Sequence, residues 1–189
     1  ANMPKDNIER AIKKSYDENS ENYEEVRYEG FGIEGVGIII ETLTDNRNRT
    51  AGDIRSIFSK HGGNLGEIGS VSFMFNHIGV IKFSHDAGEF EDIFEIATES
   101  GALDCDLLED SYEISCSTND LHQVGEVIEK EIKIPTTAQL TWRPVTQIPL
   151  DKEKAIKVLA MIDVLDDHDD VQEVFANFDM PEEIFNELS

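Results

Sequence analysis

Apolar and polar positions along the chain fall into runs of two periods, and the order of those runs outlines a fold. Ile8 and Ile12 recur four apart behind Pro4, with Lys13 and Lys14 following, which predicts a short helix with a favourable dipole arrangement. Asp17 to Asn22 is polar and reads as a linker. Tyr23 to Tyr28 and the β-branched run Val36 to Leu43 flank a connection holding Gly30, Gly32 and Gly35, which predicts a hairpin with a longer loop. Thr50 suits the N-cap of a helix carrying Ile54, Ile57 and Phe58 on one face, with Gly62-Gly63 as its stop after His61. Val71, Phe73 and Phe75 alternate, the period of a strand.

The middle of the chain then reads as one complete unit. Val80 to Phe83 predicts a strand, and Glu89 to Ser100 a helix with Phe90, Ile93, Phe94 and Ala97 inward. Leu103 to Leu108 and Tyr112 to Cys116 form a hairpin, Asp120 to Ile132 a helix, and Ala138 to Trp142 a closing strand. That order is βαββαβ, the ferredoxin-like arrangement. After Pro144 and Pro149 come a helix over Asp151 to Leu165, a strand over Val171 to Phe178 and a short amphipathic tail from Pro181. The first hairpin, helix and strand cannot cover both faces of their own sheet, and the last helix and strand would complete it. The expected fold class is therefore α+β, with two ferredoxin-like α/β units, the second inserted into the first, plus a remnant N-terminal helix. The expected domains are 1–20, a remnant of a helical domain; 21–77 with 144–189, a discontinuous α+β domain; and 78–143, the inserted βαββαβ domain.

Charge narrows the function. The net charge is −24 over 189 residues, unevenly spread. Residues 1–80 hold nine Lys/Arg against thirteen Asp/Glu, whereas 81–189 hold seven against twenty-seven. Such a chain is no simple coat for DNA, because that affinity comes from neutralising phosphates. Its composition fits a protein partner, and basic proteins suit the acidic domain. No run of about 18 apolar residues occurs, and the start lacks the apolar core of a secretory signal. A cytoplasmic protein is expected. The sequence opens without Met, directly into a helical pattern, so a piece of a longer protein is also expected.

No catalytic motif is found: G-x-S-x-G, a Walker loop and H-E-x-x-H are all missing from the sequence. The run Gly30-Phe31-Gly32-Ile33-Glu34-Gly35 matches G-x-G-x-x-G, but it leads into a strand where dinucleotide binding needs a helix. Cys105 and Cys116 face each other across the expected hairpin, on the side of Leu107 and Ile114, either as buried reduced thiols or as a redox pair. His77 and His85 lack ligand spacing. Asp163 to Asp170 lacks the pattern of a calcium loop and reads as a solvated acidic linker. Phe73, Phe75 and Trp142 read as core aromatics. No cofactor and no metal are expected.

One stretch suits a ligand. Arg47, Asn48 and Arg49 lie in an expected strand-to-helix connection, and Arg55 and Lys60 extend the patch along the helix. A helix N-terminus adds donors that suit phosphate, and His61, Gly62, Gly63 and Asn64 add a backbone that a ligand can approach. Together these nine residues form the candidate nucleic-acid surface, for DNA or ribosomal RNA. In the other reading, Asp45 and Asn46 cap the turn and the arginines pair with Glu41 or Asp53.

Ala1 to Ile12, Tyr28-Glu29-Gly30-Phe31-Gly32, Leu43 to Thr50, Phe58 to Leu65 and Asp170 to Phe178 are similar, in order, to stretches of the YebC family. The resemblance implies three domains, the second interrupted by the third, and a Lys- and Arg-rich N-terminal helical region that is missing here. It implies a non-enzymatic regulator of gene expression, of the kind described as a probable transcriptional regulator that binds DNA. Other members act with the ribosome, including a mitochondrial translational activator. The acidic inserted domain departs from a phosphate-binding role.

Overall fold

The computed structural model describes residues 22–188. The expected N-terminal helix and the domain 1–20 lie outside them. In chain order the elements are β1 (Glu24–Phe31), β2 (Gly37–Thr44), α1 (Arg47–Lys60), β3 (Asn64–Leu65), β4 (Phe75–Ser84), α2 (Phe90–Ser100), β5 (Asp104–Leu107), β6 (Ser111–Ser117), α3 (Leu121–Glu131), β7 (Thr137–Pro144), β8 (Ile148–Pro149), α4 (Lys152–Asp166), β9 (Val171–Ala176), β10 (Phe178–Asp179) and α5 (Glu182–Leu188). Contacts divide them into two compact units, an inserted unit over His77–Arg143 and a host unit made of what precedes and follows it.

The inserted sheet has the order β5-β6-β4-β7. Numbered within its own βαββαβ sequence this is 2-3-1-4, the ferredoxin-like order. The host sheet has the order β3-β1-β2-β9, with antiparallel neighbours throughout. It is the same arrangement with one strand moved to the front of the sequence. Here β2–α1–β3 and α4–β9 fill the first, second and last places, and β1 fills the third by hairpin with β2. The hairpin pairs Glu24 with Thr44 through to Phe31 with Gly37. Its turn needs left-handed backbone at Glu34 (φ 58) and Gly35 (φ 76), a conformation that Gly adopts without strain.

Each unit has its own core. In the host, α1 buries Thr50, Ile54 and Phe58 at four-residue spacing, and α4 buries Ala155, Val158, Met161 and Leu165. Both lie on the sheet face of Ile38 and Ile40. Each large side chain so removed from water contributes about 1.5–3 kcal/mol. On the other face Ile39 pairs with Phe175 and Glu41 with Glu173. Burial first, then the facing Glu41 and nearby Asp166, pushes the Glu173 carboxyl up to about 7. In the inserted unit Ile81, Phe83, Ile93, Ile114, Val124 and Ile128 form the core.

Three local expectations give way. Val71, Phe73 and Phe75 do not make a strand: Ser72–Met74 is a 3-10 turn, Phe73 is 73% exposed, and β4 runs unbroken from Phe75. The cause is Glu29, whose carboxylate takes the N–H groups of Gly69, Val71 and Ser72 that a strand would have donated to a ladder. The strand expected to Phe178 breaks at Asn177, which accepts from Gly37 N–H at 2.7 Å and donates to Thr146 O at 3.1 Å. Phe94, expected inward, is 46% exposed.

The thiols are free and buried, but the register sets Cys105 opposite Ile114, so Cys116 lies diagonal to it. Burial, with Asp106 and Asp104 beside it, pushes the Cys105 thiol up to about 11, and burial also raises that of Cys116. Thiolate is the reactive form. Both thiols should therefore resist a disulfide reagent at pH 8 until denaturant is added; prompt reaction of the folded chain would restore the redox pair.

Candidate nucleic-acid interface

α1 begins at Arg47, four residues earlier than a Thr50 cap would place it. Asn46 is the N-cap, its Oδ1 accepting from Arg49 N–H at 3.0 Å. The Thr44 to Thr50 stretch is thus mostly the first turn of a helix. Thr50 is used inside: its hydroxyl lies 2.7 Å from that of Thr44 and donates to Asp170 at 2.8 Å. Asp170 is only 5% exposed, although its neighbours in sequence suggested a solvated linker.

Arg49 donates to Asp45 at 2.8 Å and to Asp170 at 3.3 Å, which raises its pKa further through these hydrogen bonds. Arg49 is thus paired with acids, but with Asp45 and Asp170 where the other reading expected Glu41 or Asp53. Arg47 lies 3.8 Å from Glu24, both half exposed, a pairing of little strength. Among the described residues Arg55 and Lys60 have no acidic partner, and both are exposed. At 100° per residue Asn48, Gly52, Arg55 and Ser59 fall within about 60° of one another on an outer flank, while Lys60 lies on the flank of Arg49 and Asp53.

A cavity of about 700 Å³ opens beside the helix start, lined by Tyr23, Arg49, His168 and the acids Asp45, Asp53, Asp167, Asp169 and Asp170. His168 Nδ1 accepts from Asp170 N–H at 3.1 Å, which leaves Nε2–H to donate to Asp53 at 3.0 Å. Five carboxylates against one guanidinium repel phosphate. The helix N-terminus is therefore a poor anion site, and on the outer flank Arg55 supplies the favourable charge. Among the described residues no group of three or more His, Cys, Asp or Glu side chains is arranged to hold a metal ion. No helix among them is long and apolar enough to cross a membrane.

His61, Gly62, Gly63 and Asn64 serve the chain reversal. His61 Nδ1 lies 2.7 Å from Ile57 O, Gly62 has φ 78, and Asn64 pairs with Phe31. A Cβ at Gly63 would lie 2.4 Å from Phe31 O, so the close approach here is to β1. Gly52 is the opposite case: a Cβ there meets nothing within 4 Å. Mid-helix Gly costs about 1 kcal/mol relative to Ala, and no internal packing at this position accounts for it. Sequence reasoning missed Gly52, although a glycine between Asn48 and Arg55 in a helical run was the signal.

A family model of the TACO1/YebC second and third domain matches residues 23–178. A solved structure of a conserved hypothetical protein from Aquifex aeolicus is similar to the chain at 41% identity and a TM-score of 0.76, over 96% of this chain and 75% of that one. The match runs through host and inserted units alike, and through α1 with its flank. The chain belongs to the TACO1/YebC family, whose members act in the regulation of gene expression.

Proposed function

We propose that the chain is a non-enzymatic regulator that meets nucleic acid along the outer flank of α1. Asn48 and Arg55 are its centre, Arg47 lies at its start, and Lys60 stands apart on the flank of Arg49 and Asp53. The observation that carries this is a charge inversion: on a chain of net −24, α1 holds Arg47, Arg49, Arg55 and Lys60 against one acid, Asp53. Gly52 supports it, because a bare backbone between Asn48 and Arg55 lets a phosphodiester strand come close. Duplex DNA is the first ligand to consider, as for a transcriptional regulator. A ribosome-associated translation factor is the second reading. It is favoured by the inserted unit, whose fifteen Asp/Glu against four Lys/Arg suit basic ribosomal proteins while α1 suits ribosomal RNA.

Arg47→Ala with Arg55→Ala should weaken binding and lower the slope of log affinity against log salt by roughly two. Gly52→Ala should stabilise the fold by about 0.5–1 kcal/mol and still weaken binding. Co-sedimentation with ribosomes and titration with duplex DNA at matched salt separate the two ligands. An unchanged affinity and salt slope in the double variant would remove α1 from the interface.

A further inference from the structure

Within the inserted unit, residues 86–110 contain ten Asp/Glu and no Lys/Arg. The same stretch holds Phe94, Leu103, Leu107 and Leu108 at the surface, with Leu103 68% and Leu107 56% exposed. These side chains sit on adjoining elements. α2 packs across β5. The Phe94 ring lies 5.8 Å from Phe90, and Phe90 lies 6.1 Å from Tyr112, the residue opposite Leu107 in the β5–β6 register. Leu103 N–H donates to Ser115 O, the residue already opposite Asp104, so the regular ladder stops at Asp104 in a bulge-like step.

Side chains alternate along a strand. Cys105 is buried in the core beneath α2, so Leu107 shares its face, and it remains 56% exposed. Asp104 and Asp106 lie on the other face, both exposed. β5 ends its sheet, so within this unit its outer edge pairs with no strand. It offers Leu107 on one side of the pleat and carboxylates on the other, with Cys105 N–H already held by Asp104 Oδ1 at 2.8 Å.

We propose that this edge of β5 accepts an extended protein segment in which Lys or Arg alternates with a large apolar residue. The segment adds as a further strand, with main-chain hydrogen bonds supplying affinity and the alternation supplying selectivity. Its apolar side chains meet Leu107 and Phe94, and its cations meet Asp104 and Asp106. A second copy of this chain is a poor occupant, because pairing β5 with itself brings like charges together. Nucleic acid is repelled by the same carboxylates. The inference does not depend on what α1 contacts.

The test uses the full chain labelled with 15N. It is titrated at physiological salt with a short synthetic peptide of alternating lysine and valine, and with a peptide of the same composition arranged in two blocks. The expected result is saturable amide shifts confined to α2 and β5 with the alternating peptide. Binding should be roughly tenfold weaker for the block peptide, which cannot match both faces. The same loss is expected for the variant Phe94→Ser with Leu107→Ser. Both side chains are exposed, so the rest of that variant's amide spectrum should be unchanged. Equal binding of the two peptides, or full binding by the variant, would mean charge attraction alone and overturn the proposal. So would an absence of shifts, or shifts elsewhere in the chain.

Discussion

Glu29→Ala is expected to destabilise the host unit by about 3–5 kcal/mol, the size found when one partner of a buried charge network is removed. Glu29 is fully buried, and its two oxygens accept Gly69, Val71 and Ser72 N–H at 2.7–3.1 Å and Arg27 Nε at 3.1 Å. Alanine would leave three backbone donors without their acceptor and would remove one of Arg27's contacts. Burial works to raise the carboxyl pKa, but the three N–H groups and Arg27 outweigh it and hold the pKa below the ordinary value. The sign follows from that. This stabilisation is complete above the ordinary Glu pKa of about 4.3 and is lost as pH falls through the lowered folded value. Urea unfolding at neutral pH checks the first claim, with circular dichroism following both units and Trp142 fluorescence the inserted one. Repeating it toward pH 3 checks the second, since the gap between wild type and Glu29→Ala should narrow. A gap below about 1 kcal/mol at pH 7 would contradict the network.

Gly63→Ala is expected to cost about 2–3 kcal/mol, although it adds a single methyl group. That methyl would lie 2.4 Å from Phe31 O and 3.2 Å from Gly32 Cα, backbone atoms of the last residue of β1 and the one after it, which cannot swing aside. The same substitution at Gly52, eleven residues earlier, meets open space. The two variants should thus move the unfolding midpoint in opposite directions, a contrast that helix propensity alone would not produce. Equal shifts would show that Gly63 is not in close contact with β1.

Much of the fold was legible because it is written in local periodicity. The row Ile54, Ile57 and Phe58 led to α1, and the order of runs from Val80 to Trp142 led to βαββαβ. What escaped depends on acceptors far away in sequence. The turn over Ser72–Met74 answers to Glu29, more than forty residues earlier. Arg49 is held by Asp170, 121 residues later. A run of acids from Asp163 to Asp170 gives no sign that its last member is buried under two threonines. For the candidate site, residue type and helix position could be read. Which cations were already committed could not, since commitment is set by tertiary neighbours.

The pairing of β2 with β9, Ile38 against Ala176, has a consequence in time. Chains are made from the N-terminus, and domains tend to fold as their sequence emerges. The inserted unit is contiguous and complete once Arg143 is made. The host then still lacks the strand that covers one edge of Ile38, Ile39 and Ile40, a β-branched row open to other chains. Val145 N–H bonds Met74 O at 2.9 Å, so the two ends of the insertion can meet early and spare the host a long search. Even so, the vulnerable interval falls late in synthesis, when one unit is finished and the other waits for its last strand.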